Sequence, residues 1–262
     1  MYQISKPGCL ILEYCPGGDL FSLISKVGYL KSKNIQFYGA CILLALEYLH
    51  ENSILFKDLK SENVIISKEG FAKLIDFSLS EHQNSTECKI DYMVANQISA
   101  PEVLEKHEFT EASDWWSYGC LLYEMAVGVK PFEGLSYYQI KKNILTQQPD
   151  FPSTLDPSLI DLLSLLLEKD PSLRINCSSQ IRSHPFFSNS SINFEYLNDP
   201  IRHLKTRVPT KPKLDFDSDT YYFDKKFTKM SLSEIDFLQS DIYNGENSPT
   251  STSTQSSCCI KS

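Results

Sequence analysis

Asp58-Leu59-Lys60-Ser61-Glu62-Asn63, followed after a β-rich stretch by Asp76-Phe77-Ser78, is the segment that decides the fold of this chain. Two carboxylates, a lysine and an amide at these spacings are the groups needed to move a phosphoryl group from a metal-bound nucleotide. One Asp orients and deprotonates a hydroxyl, a Lys neutralises a phosphate, and Asn with the second Asp holds Mg²⁺. Taken singly, each Asp or Lys reads as a solvated surface residue. Their joint spacing, with the β-branched residues that flank them, reverses that reading.

Outward from this segment the chain reads mostly as helix. Upstream, Cys9-Leu10-Ile11-Leu12-Glu13-Tyr14 predicts a buried strand stopped by Pro16-Gly17-Gly18, after which Asp19 caps a short helix over Leu20–Lys26. Ser32–Glu51 places apolar residues at 35, 38, 42, 45, 46 and 49, the spacing of a helix with one buried face. Ile54–Phe56, Val64–Ile66 and Phe71–Ile75 are short β runs, expected to form small hairpins beside the Asp58–Asn63 loop. Residues 78–99 lack periodicity and read as a long functional loop. Ser113–Gly128 is apolar on nearly every side, which predicts a helix buried mid-fold and ended by Gly128 and Pro131, with Trp115 and Trp116 in the core. Further helices are expected at 136–147, 157–169 and 178–184, with Asp170-Pro171 and Pro185 as stops. Beyond about residue 188 the chain turns polar, and past Asn244 its Ser/Thr-rich composition predicts disorder.

Composition narrows the function classes. With 262 residues, 42% hydrophobic and 12% aromatic, the chain can bury one large domain and carry a tail. A net charge of −8 with no long Lys/Arg run argues against nucleic acid as a partner. The eight cysteines form no CxxC and mostly sit in apolar runs, which points to a reducing, cytoplasmic setting. The five histidines share no metal-ligand spacing. No apolar run reaches the ~18 residues of a membrane span, and no signal peptide is visible. Cys259-Ile260-Lys261-Ser262 has the length and final Ser of a prenylation box, with Lys261 where an aliphatic residue is preferred.

In sequence order, Asp58…Asn63, Asp76-Phe77-Ser78, Ala100-Pro101-Glu102, Asp114-Trp115-Trp116-Ser117-Tyr118-Gly119 and Asp170-Pro171-Ser172-Leu173-Arg174 resemble the larger, C-terminal lobe of a eukaryotic protein kinase over about residues 9–187. Glu13-Tyr14-Cys15-Pro16-Gly17-Gly18-Asp19-Leu20 and Tyr222-Phe223-Asp224-Lys225-Lys226-Phe227-Thr228 are similar to the hinge and C-terminal extension of the AGC serine/threonine group. The resemblance implies a mainly α (α+β) kinase-like fold: residues 1–187 as hinge and helical lobe with short hairpins, 188–243 as the AGC-like tail, and 244–262 as a disordered end. It implies ATP and Mg²⁺ as cofactors and a protein Ser/Thr hydroxyl as acceptor. Asp58 becomes the base and Lys60 the γ-phosphate contact, while Asn63 and Asp76 are metal ligands. The backbones of Glu13 and Cys15 meet adenine, Leu12 guards the pocket behind it, Asp19 reaches the ribose, and Ile65 and Phe223 border the base. Glu102 and Arg174 become a structural ion pair, and Asp114 ties down the catalytic loop.

The departures are expectations too. The chain reads as beginning on the last strand of the smaller lobe, so the glycine-rich loop and strand lysine of that lobe are expected to be absent. Lys57 stands where the family has Arg, Ser78 replaces a Gly, and Ala95 replaces a Thr. Asp91 falls where an activating phosphothreonine sits, which suggests a fixed Asp91–Lys57 ion pair. Three readings stay open: a truncated working kinase, an inactive relative used as a docking scaffold, and a generic helical interaction domain without nucleotide.

Overall fold

The structure, a computed structural model, describes residues 12–83, 98–199, 208–216, 219–223 and 228. In chain order its elements are α1 (Leu20–Val27), α2 (Ser32–Glu51), β1 (Ile54–Leu55), β2 (Val64–Ile66), β3 (Ala72–Leu74), β4 (Glu81–His82), α3 (Pro101–Lys106), α4 (Glu111–Val127), α5 (Tyr137–Thr146), α6 (Pro157–Leu166), α7 (Ser178–Ser183), α8 (Pro185–Ser188) and α9 (Phe194–Asn198).

Local chemistry sets the helix starts. Asp19 accepts from the Ser22 N–H at 2.7 Å to begin α1, and Ser136, Asp156 and Asn193 cap α5, α6 and α9 in the same way. Packing sets where the helices go. Every residue of α4 from Ala112 to Ala126 is buried, including Trp115 and Trp116. Each large side chain so buried contributes roughly 1.5–3 kcal/mol, against about 1 kcal/mol for a cap, so burial rather than capping places α4 at the centre. Its neighbour α2 approaches closely at Gly39, where a Cβ would lie 3.0 Å from Leu122 Cδ2, and Tyr118 Oη donates to Gly39 O at 3.0 Å. A second apolar cluster joins α3 and α5 to the far side of α4 through Val103, Leu104, Trp116, Phe132, Ile140 and Ile144.

The β structure is slight. β2 and β3 form an antiparallel hairpin with Val64 opposite Leu74 and Ile66 opposite Ala72, as the β runs predict. β1 instead pairs with β4, Ile54 opposite His82 and Leu55 opposite Glu81, so part of the stretch read as loop is strand. Two residues of partner strand carry no period to detect, which is why the sequence conceals β4. Residues 12–14 form no strand, and Leu12 is 73% exposed, against the expectation of a buried strand over 9–14. A strand needs a neighbour for its backbone groups, and none of the described strands pairs with residues 12–14. Residues 9–11 lie outside the described residues. Pro185 does stop the preceding helix, α7 ending at Ser183 with His184 as its cap, and Pro185 then opens α8, where its missing N–H costs nothing. The helix expected to reach residue 169 ends at Leu166.

Residues 219–223 lie against residues 14–18. Tyr14 Oη donates to Asp219 O at 2.6 Å, and the Tyr14 and Phe223 rings stack at 5.9 Å. Gly18, at φ +76°, admits this approach: a Cβ there would meet Tyr222 O at 2.5 Å.

Candidate active site

One buried carboxylate gathers the central residues. Asp58, 1% exposed, accepts at Oδ2 from Lys60 Nζ and from Asn63 Nδ2, both at 2.8 Å, and Asn63 Nδ2 also donates to Asp58 O at 2.9 Å. A 3₁₀ turn over Ser61–Asn63 supplies the bend that brings the amide back to Asp58. The β2–β3 hairpin then delivers the second carboxylate. Ile75 N–H donates to Asn63 O at 3.0 Å, so Asp76 emerges beside Asn63.

Two residues here hold the left-handed backbone that non-glycine residues avoid, Lys57 at φ +66° and Asp76 at φ +62°. Such a conformation costs on the order of 1–3 kcal/mol and persists only where surrounding bonds enforce it. For Lys57 the enforcer is Asp114 on α4, also 1% exposed. Its carboxylate accepts from the Phe56 N–H, the Lys57 N–H and the His50 ring nitrogen, each at 2.9 Å. For Asp76 it is Ser78, whose Oγ donates to Asp76 Oδ1 at 2.7 Å. Ser78, which stands where the family has Gly, does not need a glycine's freedom: the positive φ belongs to Asp76, and Ser78 has none.

Lys57 Nζ pairs with Glu81 and lies 4.7 Å from the Phe109 ring centroid. Asp91, the partner suggested by sequence, lies outside the described residues, as does Ala95. Farther out, Arg174 clasps Glu102 through both guanidinium arms at 2.7 and 2.9 Å, with the two side chains 0% and 6% exposed. Glu62 lies 3.9 Å from Lys130. Buried Glu124 on α4 has its carboxyl pushed up by desolvation, opposed by Lys130 and Ser61.

The residues expected around adenine share β2 as a wall with this centre. Gly17 N–H donates to Ile66 O at 3.0 Å, Ile66 N–H to Gly18 O at 2.9 Å, and Asp19 bridges to Ile65. Cys15 and Ile65 are buried, Leu12 and Glu13 are exposed, and Lys73 holds the Glu13 carboxylate at 2.7 Å. Asp19, expected to reach a ribose, uses one carboxylate oxygen on the Ser22 N–H and the other on Ser22 Oγ. The partly buried Cys41 and the buried Cys120 have their thiols pushed up to about 12 by desolvation and are inert at neutral pH.

The oxygens of Asn63 and Asp76 suit Mg²⁺. Fixing Asn63 Nδ2 on Asp58 settles which end of that amide is the oxygen. Mg²⁺ is commonly held by one or two such ligands, with waters and substrate phosphates completing the shell. Among the described residues no group of three His, Cys, Asp or Glu converges as a protein-only cage.

Sequence reading missed Glu81, the hydroxyl of Ser78 on Asp76 and the Glu62–Lys130 pair. The one available signal was Lys57, which demanded an anion; the sequence reading supplied Asp91, which lies outside the described residues.

The protein kinase domain profile matches residues 1–187. RAC-beta serine/threonine-protein kinase A of Xenopus laevis is 34% identical over 253 residues, covering 92% of this chain and 51% of that protein. The rat RAC-beta serine/threonine-protein kinase is 36% identical across 88% of this chain and 48% of its own length. Protein kinase C-like 2 of Schizosaccharomyces pombe is 34% identical across 84% of this chain and 21% of its own length. The chain thus spans about half the length of the RAC-beta relatives it matches. With the profile over its first 187 residues, the chain belongs to the protein kinase family, and the relatives it matches include serine/threonine-protein kinases.

Proposed function

We propose that this chain supplies the catalytic loop and metal site for transfer of the γ-phosphate of Mg-ATP to a protein Ser or Thr hydroxyl. The observation that carries the reading is the convergence of Lys60 and Asn63 on Asp58, with Asp76 held next to Asn63 by the Ile75–Asn63 bond. In this role Asp58 accepts the acceptor hydroxyl's proton and orients its oxygen, and Lys60, already anchored on Asp58, meets the γ-phosphate. Asn63 and Asp76 hold Mg²⁺, which when bound offsets the negative charge of the phosphates. The hinge from Leu12 to Asp19 contacts adenine and ribose, Ile65 lies under the base, and Phe223 closes the edge beside Tyr14. The boundary between the kinase domain and its tail falls near residue 187 in this reading.

A second reading, a docking lobe without turnover, draws on the Ser78 hydroxyl, which occupies one oxygen of the metal-binding Asp76. A thermal-shift titration with Mg-ATP, followed by a phosphotransfer assay on Ser/Thr peptides, separates the two. Phosphotransfer predicts a shift that Asp76→Ala abolishes, and transfer that Asp58→Asn abolishes while the shift remains. A shift without transfer supports the docking lobe. Absence of any Mg-ATP shift in both the wild-type chain and Asp76→Ala refutes the phosphotransfer reading and favours the docking lobe.

A further inference from the structure

Lys57 is the residue before Asp58, yet its ammonium takes no part in the chemistry proposed above. Its side chain is only 10% exposed, it lies against the Phe109 ring, and its carboxylate partner Glu81 is 21% exposed. Glu81 arrives on β4, the strand that follows Asp76 and pairs with β1, the strand that precedes Asp58. Further bonds close the same seam: Ser80 Oγ donates to Phe56 O at 3.2 Å, and Gln83 N–H donates to Ser53 O at 2.8 Å. The Lys57–Glu81 pair is therefore a cross-brace from the metal-site segment to the catalytic loop. It sits where the loop is held in a left-handed conformation and where an unpaired ammonium would be costly.

We infer that Glu81 is a positioning residue, which latches the catalytic loop through Lys57 so that its order needs no further anion from residues 84–97. Glu81 touches neither phosphate nor acceptor in this scheme. It acts through Lys57, whose N–H is held by Asp114 and whose neighbour is Asp58. The kinetic side of the inference rests on the phosphotransfer reading; the structural side does not.

The test uses the full chain carrying Glu81→Gln, Lys57→Met, both together, or Asp91→Ala. Amide exchange at Phe56 and Lys57, the two N–H groups held by Asp114, reads the latch directly. Glu81→Gln is expected to speed that exchange by roughly tenfold, with the double variant no faster than either single change, because coupled partners are non-additive. Amides in the middle of α4 stay protected, which separates a released loop from a failed fold. Asp91→Ala is expected to leave exchange unchanged. Where phosphate transfer is measurable, Glu81→Gln lowers kcat by roughly tenfold and changes KM for ATP by less than about twofold. Unchanged exchange in Glu81→Gln, additive effects, or acceleration by Asp91→Ala equal to that of Glu81→Gln would overturn the inference. A wild-type chain that transfers no phosphate counts against the proposed function, while the exchange data still decide the latch.

Discussion

Replacing Arg174 with Met should be among the most damaging single changes in this chain. Arg174 is fully buried and donates to Glu102 Oε1 and Oε2 at 2.7 and 2.9 Å. It also donates to the carbonyls of Ala112 and Glu168 at 2.8 Å and of Lys169 at 3.3 Å. Methionine keeps part of the volume, so the loss is electrostatic rather than a simple cavity. Leaving one member of a buried ion pair unpaired costs about 3–5 kcal/mol. Set against a typical stability of about 5–15 kcal/mol, that is about a fifth or more of what holds the domain folded. At about 2–4 °C per kcal/mol for a domain of this size, the midpoint should fall by roughly 6–20 °C. Urea unfolding followed by circular dichroism, with a thermal scan beside it, measures both quantities. Glu102→Gln should cost less, because the amide still offers an oxygen to the guanidinium. The double variant Glu102→Leu/Arg174→Met should recover part of the loss, since no lone charge then remains buried. If Arg174→Met lies within about 1 kcal/mol of wild type, the pair behaves as a solvated surface bridge and the packing described here is wrong.

Asp114→Asn should destabilise the chain by about 2–4 kcal/mol, because the amide cannot accept from two backbone N–H groups and the His50 ring as the carboxylate does; urea titration, with amide exchange at Phe56 and Lys57, checks it. Lys169 gives a pH prediction: its Nζ lies 4.0 Å from the Phe132 centroid with no hydrogen-bond partner among the described residues, and burial pulls its pKa down to about 8. An unfolded lysine keeps its proton to about pH 10.4. Between these values the unfolded state binds more protons, so this group's contribution to stability rises with pH across the window and is flat below it. Lys169→Met should abolish that rise and stabilise the chain at pH 7, as urea titrations at pH 7 and pH 9.5 will show.

How far the sequence could be read depended on whether a feature was periodic or relational. Helix α2 was legible at both ends because apolar spacing over Ser32–Glu51 leaves little freedom. Helix α4 was legible for the opposite reason, as a run too apolar to lie anywhere but inside. Asp58, Lys60, Asn63 and Asp76 stood out through spacing, and the first three do meet in one hydrogen-bonded group. Glu81 and Ser78 were illegible as partners because their roles exist only once β4 pairs with β1 and once Asp76 turns left-handed. Asp19 shows the converse: the helix cap was evident from local sequence, and that local bond engages the same carboxylate the resemblance sends to a ribose.

The centre of the site is held from below by a helix that, read alone, is only core. The two left-handed residues, Lys57 and Asp76, together cost on the order of 2–6 kcal/mol. A surface loop could not hold the first of them, since water would compete for the Phe56 and Lys57 N–H groups. Asp114 can hold it because α4 is immobilised by the burial of its neighbours Trp115 and Trp116, which fixes the carboxylate 2.9 Å from both donors. Burial therefore does two things at once here. It stabilises the domain, and it gives one carboxylate the rigidity to keep a strained loop in place beneath Asp58. It follows that a core substitution far from any phosphate, such as Trp115→Leu, should loosen amide exchange at Phe56 and Lys57 even if the chain stays folded. Should exchange there stay unchanged while α4 itself loosens, the catalytic loop is held by its own bonds and by Glu81, and the core beneath it is not its support.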